Sequence, residues 1–193
     1  MLRLLENIGR HIELDEREEA FVLSLLKKKR LKRKDFLQRQ GELCRSIYFV
    51  NKGSLRCYYE GPDQKESTIM FAFADWWITD MRCFIHQLPA DTHIQALEES
   101  EVGEISKASF DQLFEEIPKF ERLFRILMQN AYIREQTRML EHLTCSAEAR
   151  YQKYISKYPR IEQLVSQKHI ASYLGITPEF LSFTKKKAQQ KNS

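Results

Sequence analysis

The chain has little that points to catalysis or to a membrane. No apolar run approaches the roughly 20 residues needed to cross a bilayer, and the opening Met1-Leu-Arg-Leu-Leu-Glu-Asn7 lacks the apolar core of a signal peptide. Both absences read as a cytoplasmic protein. The four cysteines, Cys44, Cys57, Cys83 and Cys145, are widely spaced with no Cys-x-x-Cys pair, so zinc and iron–sulfur sites are not suggested and free buried thiols are expected. Cys83 and His86 stand at a metal-like interval, but His93 is the only other nitrogen nearby, and no metal or cofactor is expected. No Gly-x-Ser-x-Gly, no phosphate-cradling glycine loop and no paired carboxylates occur, and the five histidines are scattered. These absences argue against an enzyme.

What is present suggests two domains. A chain of 193 residues with 42% hydrophobic content supports one sizeable core and a small satellite. The net charge of +4 is unevenly placed, because residues 144–193 hold nine Lys and Arg against three acids while the remainder is slightly acidic. A basic excess of this kind suits a phosphate backbone, whose counterions it displaces.

That basic segment contains Ser166-Gln-Lys-His-Ile-Ala-Ser-Tyr-Leu-Gly175-Ile-Thr177-Pro178. Ser166 can cap a first helix, Gly175 can supply the positive φ that ends it, and Thr177 with Pro178 can open a second. Ile170, Ala171, Leu174, Ile176 and Leu181 fall where two short crossing helices need apolar contacts. The pattern predicts a helix-turn-helix with its second helix as the reader, ending in Lys185, Lys186 and Lys187. An ordinary helical hairpin with a solvated basic end is the alternative.

Upstream, Asp15 with Glu18 predicts a capping box and a short amphipathic helix carrying Phe21, Val22, Leu25 and Leu26. The run Lys27 to Lys34 has seven basic residues in eight. It reads as an edge strand whose lysines discourage pairing, with a second nucleic-acid contact as the alternative. From Phe36 to Ile105 short strands alternate with turns. Ile47–Val50, a loop at Gly53 and Leu55–Tyr59 form a hairpin, followed by strands at 67–73, 94–97 and 101–105, a pattern for a small sandwich or barrel. Between the last strands, Trp76 and Trp77 read equally as pocket walls or as core.

Helix resumes at Phe110–Glu116, resets at Pro118, and runs from about Lys119 to Leu143, long enough to span about 37 Å. Phe120, Leu123, Phe124 and Leu127 make one apolar stripe, and Ile126, Ile133 and Leu140 repeat every seven residues on another. Two apolar faces call for two partners, one the strand-rich domain and the other the same helix of a second subunit.

In this order the elements resemble the Crp/Fnr family of bacterial transcription regulators over nearly the whole length. The resemblance is carried by Val50-Asn-Lys-Gly53-Ser-Leu-Arg56, by Ala147-Glu-Ala-Arg150-Tyr151 and by the Ile170–Ser182 run. It implies an α+β fold: an N-terminal antiparallel β-roll sensor (1–116), a long dimerisation helix (117–144), and a winged-helix-like helix-turn-helix domain (145–193). It also implies a homodimer on an inverted-repeat operator in double-stranded DNA, RNA polymerase as a further partner, and a small-molecule effector of unknown identity. The DNA contacts it implies are Gln167, Lys168 and Thr177 on phosphates and Glu179 on a base, with Pro178, Phe180, Ser182, Phe183, Lys185 and Lys186 on the same face.

Two departures qualify the match. Thr79-Asp80-Met81 stands for the family's Gly-Glu-Leu, and a gapless count to Ile105-Ser106 puts Ala90-Asp91-Thr92 where Arg-Ser-Ala grips a cyclic phosphate. Without the guanidinium, and with a carboxylate beside the site, cyclic-nucleotide binding is not expected. The candidate residues for a ligand pocket of another kind are Trp77, Thr79, Asp80, Arg82, Ala90, Asp91 and Thr92. The second departure is Phe183-Thr184 for an arginine and an aliphatic residue in the reading helix, which removes a bidentate guanine contact. A β-roll binding module for a ligand or protein, with a degenerate DNA-binding end, is therefore the competing reading.

Overall fold

The computed structural model describes residues 2–191, and side chains for 3–187; Met1, Asn192 and Ser193 lie outside the described residues. The chain opens with α1 (Leu2–Gly9) and α2 (Glu16–Ser24). The Asp15 carboxylate accepts from the Glu18 N–H at 2.8 Å and the Glu18 carboxylate accepts from the Asp15 N–H at 2.9 Å, so the expected capping box forms. Leu4 and Ile8 of α1 are fully buried. The sequence reading did not anticipate this helix, because eight residues are too few to show a periodic stripe.

Eight strands follow: β1 (Lys27–Leu31), β2 (Phe36–Gln38), β3 (Ser46–Lys52), β4 (Ser54–Glu60), β5 (Glu66–Phe73), β6 (Trp77–Ile78), β7 (His93–Ala96) and β8 (Ser100–Ser106), with α3 (Met81–His86) between β6 and β7. They form two antiparallel sheets of order β1-β8-β3-β6 and β2-β7-β4-β5. Val50, Leu55, Cys57, Ile94 and Val102 fill the space between the sheets. Ile47, Phe49 and Ile105 face outward into a second core built with the flanking helices. Period-two alternation on β3 and β8 therefore serves two buried faces.

The β3–β4 turn needs Gly53, whose φ is +90° and whose Cα has Ser100 and Glu99 packed against it. Strand β1 is an edge strand with Lys27, Lys28, Lys29 and Arg30 exposed. Lys29 pairs with Glu104 at 3.0 Å and Arg30 with Glu101 at 3.3 Å, so part of the basic run is neutralised by its neighbour β8.

Four helices lead to the final pair: α4 (Lys107–Glu116), α5 (Phe120–Thr144), α6 (Ala147–Lys157) and the short α7 (Ile161–Leu164). Phe120 and Leu123 are buried against the outer sheet face, and Phe124 and Leu127 pack beside them. The last elements are α8 (Gln167–Leu174) and α9 (Pro178–Lys191). Among the described residues no strand follows β8, so the winged-helix-like expectation is met in its helix-turn-helix and not by a hairpin within those residues. Pro159 and α7 lie between α6 and α8 instead. Among the described residues no helix is long and apolar enough to cross a membrane.

Candidate nucleic-acid interface and ligand site

The turn between α8 and α9 is built by the residues the sequence singled out. Ser166 Oγ accepts from the His169 N–H at 3.4 Å, Gly175 sits at φ +67°, and Thr177 Oγ1 accepts from the Phe180 N–H at 3.1 Å. Ile170, Ala171, Leu174 and Leu181 are buried between the helices, and Ile176 is half-buried. Arg150, in the Ala147–Tyr151 stretch, donates to the carbonyls of Cys145 at 2.9 Å and Leu174 at 3.2 Å, tying the start of α6 to the end of α8.

One face of this pair is open to solvent. Gln167, Lys168, Thr177, Pro178 and Glu179 are exposed, as are Phe180, Ser182, Phe183 and Lys186. Phe183 is 62% exposed. Lys185 departs from the expectation: it is half-buried and held by Glu162 at 2.7 Å, so it is not a free phosphate contact here. Lys187 likewise pairs with Glu148 at 3.1 Å. Neither acid is near in sequence, and α6 and α7 bring them over. Thr184 is buried, placing a hydroxyl in the core as its position predicted.

The pair is also docked on the β-roll. Ser172 Oγ accepts from the Thr68 N–H at 2.9 Å and donates to the Glu66 carbonyl at 2.8 Å, while Arg138 donates to the carbonyls of Thr68, Ile69 and Tyr173. Tyr154, Tyr158 and Tyr173 meet Phe71, Phe73 and Trp76 beside these bonds. Sequence reasoning missed Ser172 and Arg138. Their partners on the β-roll lie about a third to a half of the chain away, and neither residue type stands out on a helix.

The expected ligand pocket separates into two places. Asp80, Arg82, Ala90, Asp91 and Thr92 form a polar knot at the α3 end of the roll. Asp80 accepts from the Asp91 N–H at 3.0 Å and from Thr92 Oγ1 at 3.1 Å, and Arg82 Nε donates to Asp91 at 3.1 Å. The Arg82 guanidinium holds the Asp91 carboxyl below its usual range. The sequence reading gave Asp91 an unopposed charge; the structure pairs it. Cys83 comes near Asp80 and Asp91, forming a trio within 4.8 Å, whereas His86 is exposed and His93 stacks on Tyr58. Burial, with the nearby carboxylates, pushes the Cys83 thiol up to about 11, so it stays a thiol at neutral pH.

Trp77 and Thr79 belong elsewhere. They line a cavity of about 410 Å³ between the outer sheet face, α4 and α5, together with Trp76, Phe110, Phe124 and Leu127. On the far side of α5, Ile133 and Leu140 are each 58% exposed and Ile126 is half-buried, so among the described residues the heptad stripe is left largely uncovered.

With this geometry in place, the chain can be set beside known proteins. Residues 28–117 match the sequence family of the cyclic nucleotide-binding domain. No curated protein matches the chain in sequence. Among solved structures, the c-di-GMP responsive global regulator CLP of Xanthomonas campestris aligns with TM-score 0.74 at 18% identity, over 92% of this chain and 93% of that one. A CooA mutant from Carboxydothermus hydrogenoformans aligns with TM-score 0.74 at 16% identity, over 97% and 84%. FixK2 of Bradyrhizobium japonicum aligns with TM-score 0.72 at 15% identity, over 86% of each. Residues 28–117 are thus similar to the cyclic nucleotide-binding domain family, and the chain as a whole shares the fold of these solved structures.

Proposed function

We propose that the protein is a homodimeric DNA-binding transcription regulator that does not respond to cyclic nucleotides. It is read as three units: a β-roll over 1–116, a dimerisation helix over 117–144 and a DNA-binding domain over 145–193. The observation that carries the reading is the outward face of α8 and α9, where Gln167, Lys168, Glu179, Ser182, Phe183 and Lys186 stand exposed on one helix-turn-helix. Dimerisation through Ile126, Ile133 and Leu140 gives two such faces related by a two-fold axis. They suit an inverted repeat in double-stranded DNA with half-sites about 34 Å apart. RNA polymerase is the further partner of such a regulator.

The polar knot supports the exclusion of cyclic nucleotides. An anion needs free donors, and here the Asp91 N–H and the Thr92 hydroxyl are given to Asp80 while Arg82 is given to Asp91. Titration calorimetry with cyclic AMP and cyclic GMP should show no binding in the low micromolar range.

Selection from random duplexes tests the DNA reading. Enrichment of an inverted repeat, with affinity falling steeply with salt, is the expected result. Phe183→Arg should add about 1 to 3 kcal/mol of preference for guanine at one position of each half-site. If neither version enriches a repeat, the competing reading of a β-roll binding module with a degenerate DNA-binding end replaces this one.

A further inference from the structure

The 410 Å³ cavity lies outside the roll, so it is distinct from the space between the sheets, which Leu55, Cys57 and Ile94 fill. Its size falls within the range of small-molecule sites. Along α5 its lining runs from Phe120 and Leu123, both buried, to the exposed Asn130 and the half-buried Arg134 and Glu135, the end nearer solvent. From Leu123 to Arg134 the helix rises about 16 Å, so the space is long. Its walls are apolar, and the polar groups that reach it are already used. Trp77 Nε1 donates to Asn7 at 3.2 Å, Thr79 Oγ1 donates to the Ser46 carbonyl at 3.0 Å, and Asp75 is bound by Asn7 and Arg10.

Asn130 and Arg134 are the exceptions, although the Arg134 guanidinium also lies over the Trp76 ring at 5.2 Å. The Arg134 Nε lies 3.3 Å from Glu135, and its two terminal nitrogens have no hydrogen-bond partner among the described residues. Glu135 is shared with Arg138 at 3.4 Å. Asp75 is taken by Arg10, and Arg134 shares the single Glu135 carboxylate with Arg138, so the positive charge of Arg134 at this end of the cavity is only partly balanced. A long apolar space lined at one end by a guanidinium whose terminal nitrogens still have donors to give matches an apolar chain with an anionic head.

We propose that this cavity binds a medium-chain fatty carboxylate, its chain lying along α5 from Leu123 past Leu127 and its head group on Arg134. Binding at this site does not depend on the DNA-binding reading. The chain's two tryptophans, Trp76 and Trp77, both line the cavity, so intrinsic fluorescence reports its filling directly.

Decanoate is titrated into the full chain below its micellar concentration, with light scattering run in parallel. Saturable binding of one molecule per chain is expected, with no change in molar mass. Arg134→Gln should weaken decanoate at least about tenfold while moving decanol by no more than about twofold, because only the charged head loses its partner. Ala131 is half-buried on the cavity wall. Ala131→Phe should abolish binding and Ala131→Leu should weaken it, each with an unchanged circular dichroism spectrum. Should the larger variant fail to fold, the smaller one decides. Absence of saturation in the wild type overturns the proposal, as does decanoate binding that both Ala131 variants leave intact. Release of monomers in proportion to decanoate also overturns it, since that outcome gives the cavity to a second copy of the chain.

Discussion

Arg56 and Glu66 form an ion pair of 2.7 Å beneath α8, with the arginine side chain only 2% exposed. His169 sits over this pair with its Nδ1 buried and unpartnered. Burial, reinforced by Arg56, Lys168 and Arg33 and opposed by Glu66, lowers its pKa from the ordinary 6.5 to about 4. Glu66 is also lowered: burial raises it, but the hydrogen bond and charge of Arg56 prevail. A depressed pKa in the folded state means that the unfolded chain takes up the proton first. Stability is therefore full above pH 6.5 and falls as the pH drops towards 4, with Glu66 adding to the loss at the acid end. Thermal melts across this range should show a falling Tm, and His169→Gln should flatten the curve between pH 6.5 and about 4.5.

Ser172 is the simplest handle on the docked helix pair. Ser172→Ala leaves the Thr68 N–H and the Glu66 carbonyl without their partner, at a cost of about 1 to 3 kcal/mol. Amide exchange at Thr68 should accelerate, while the amides of β3 and β8 keep their protection. Unchanged exchange at Thr68 would show that Arg138 and the tyrosine cluster hold the docking alone.

Gly53 should tolerate nothing larger. A Cβ built there lies 2.2 Å from Ser100 Oγ and 2.7 Å from the Glu99 carbonyl oxygen, at a φ that L-residues avoid. Gly53→Ala should cost about 2 kcal/mol or more, read as a lower midpoint in urea.

Ile133→Glu tests the dimer. The side chain is 58% exposed in the single chain, so the substitution should leave the monomer fold intact. At a dimer seam it buries an unpaired charge, and light scattering should report a monomer where the wild type gives twice the mass. A wild-type monomer at tens of micromolar would reject the seam.

How much of this was legible in the sequence depends on how far each interaction reaches. The cap of α2, the Gly53 turn and the Ser166–Gly175–Thr177 punctuation are local, and one to three residues determine each. Ser172 and Thr68 are 104 residues apart, and neither has a side chain that announces a role. The neutralisation of Asp91 by Arg82 spans only nine residues, yet α3 has six residues, too few for a pattern that gives the direction in which the two side chains point. Lys185 looked like a phosphate contact because its partner Glu162 belongs to a helix of four residues, too short to carry a pattern. The cavity was foreseeable only as a suspicion about adjacent tryptophans. Its charge balance depends on Arg10, which is 65 residues from the Asp75 it holds.

Strand β5 ends its sheet, and on its open side Ser172 stands in for the strand that is not there. Swinging the helix pair away would bare a row of backbone donors and acceptors able to recruit another chain. Posture and solubility are thereby linked, so variants that loosen the docking should self-associate more readily as concentration rises, ahead of any loss of secondary structure.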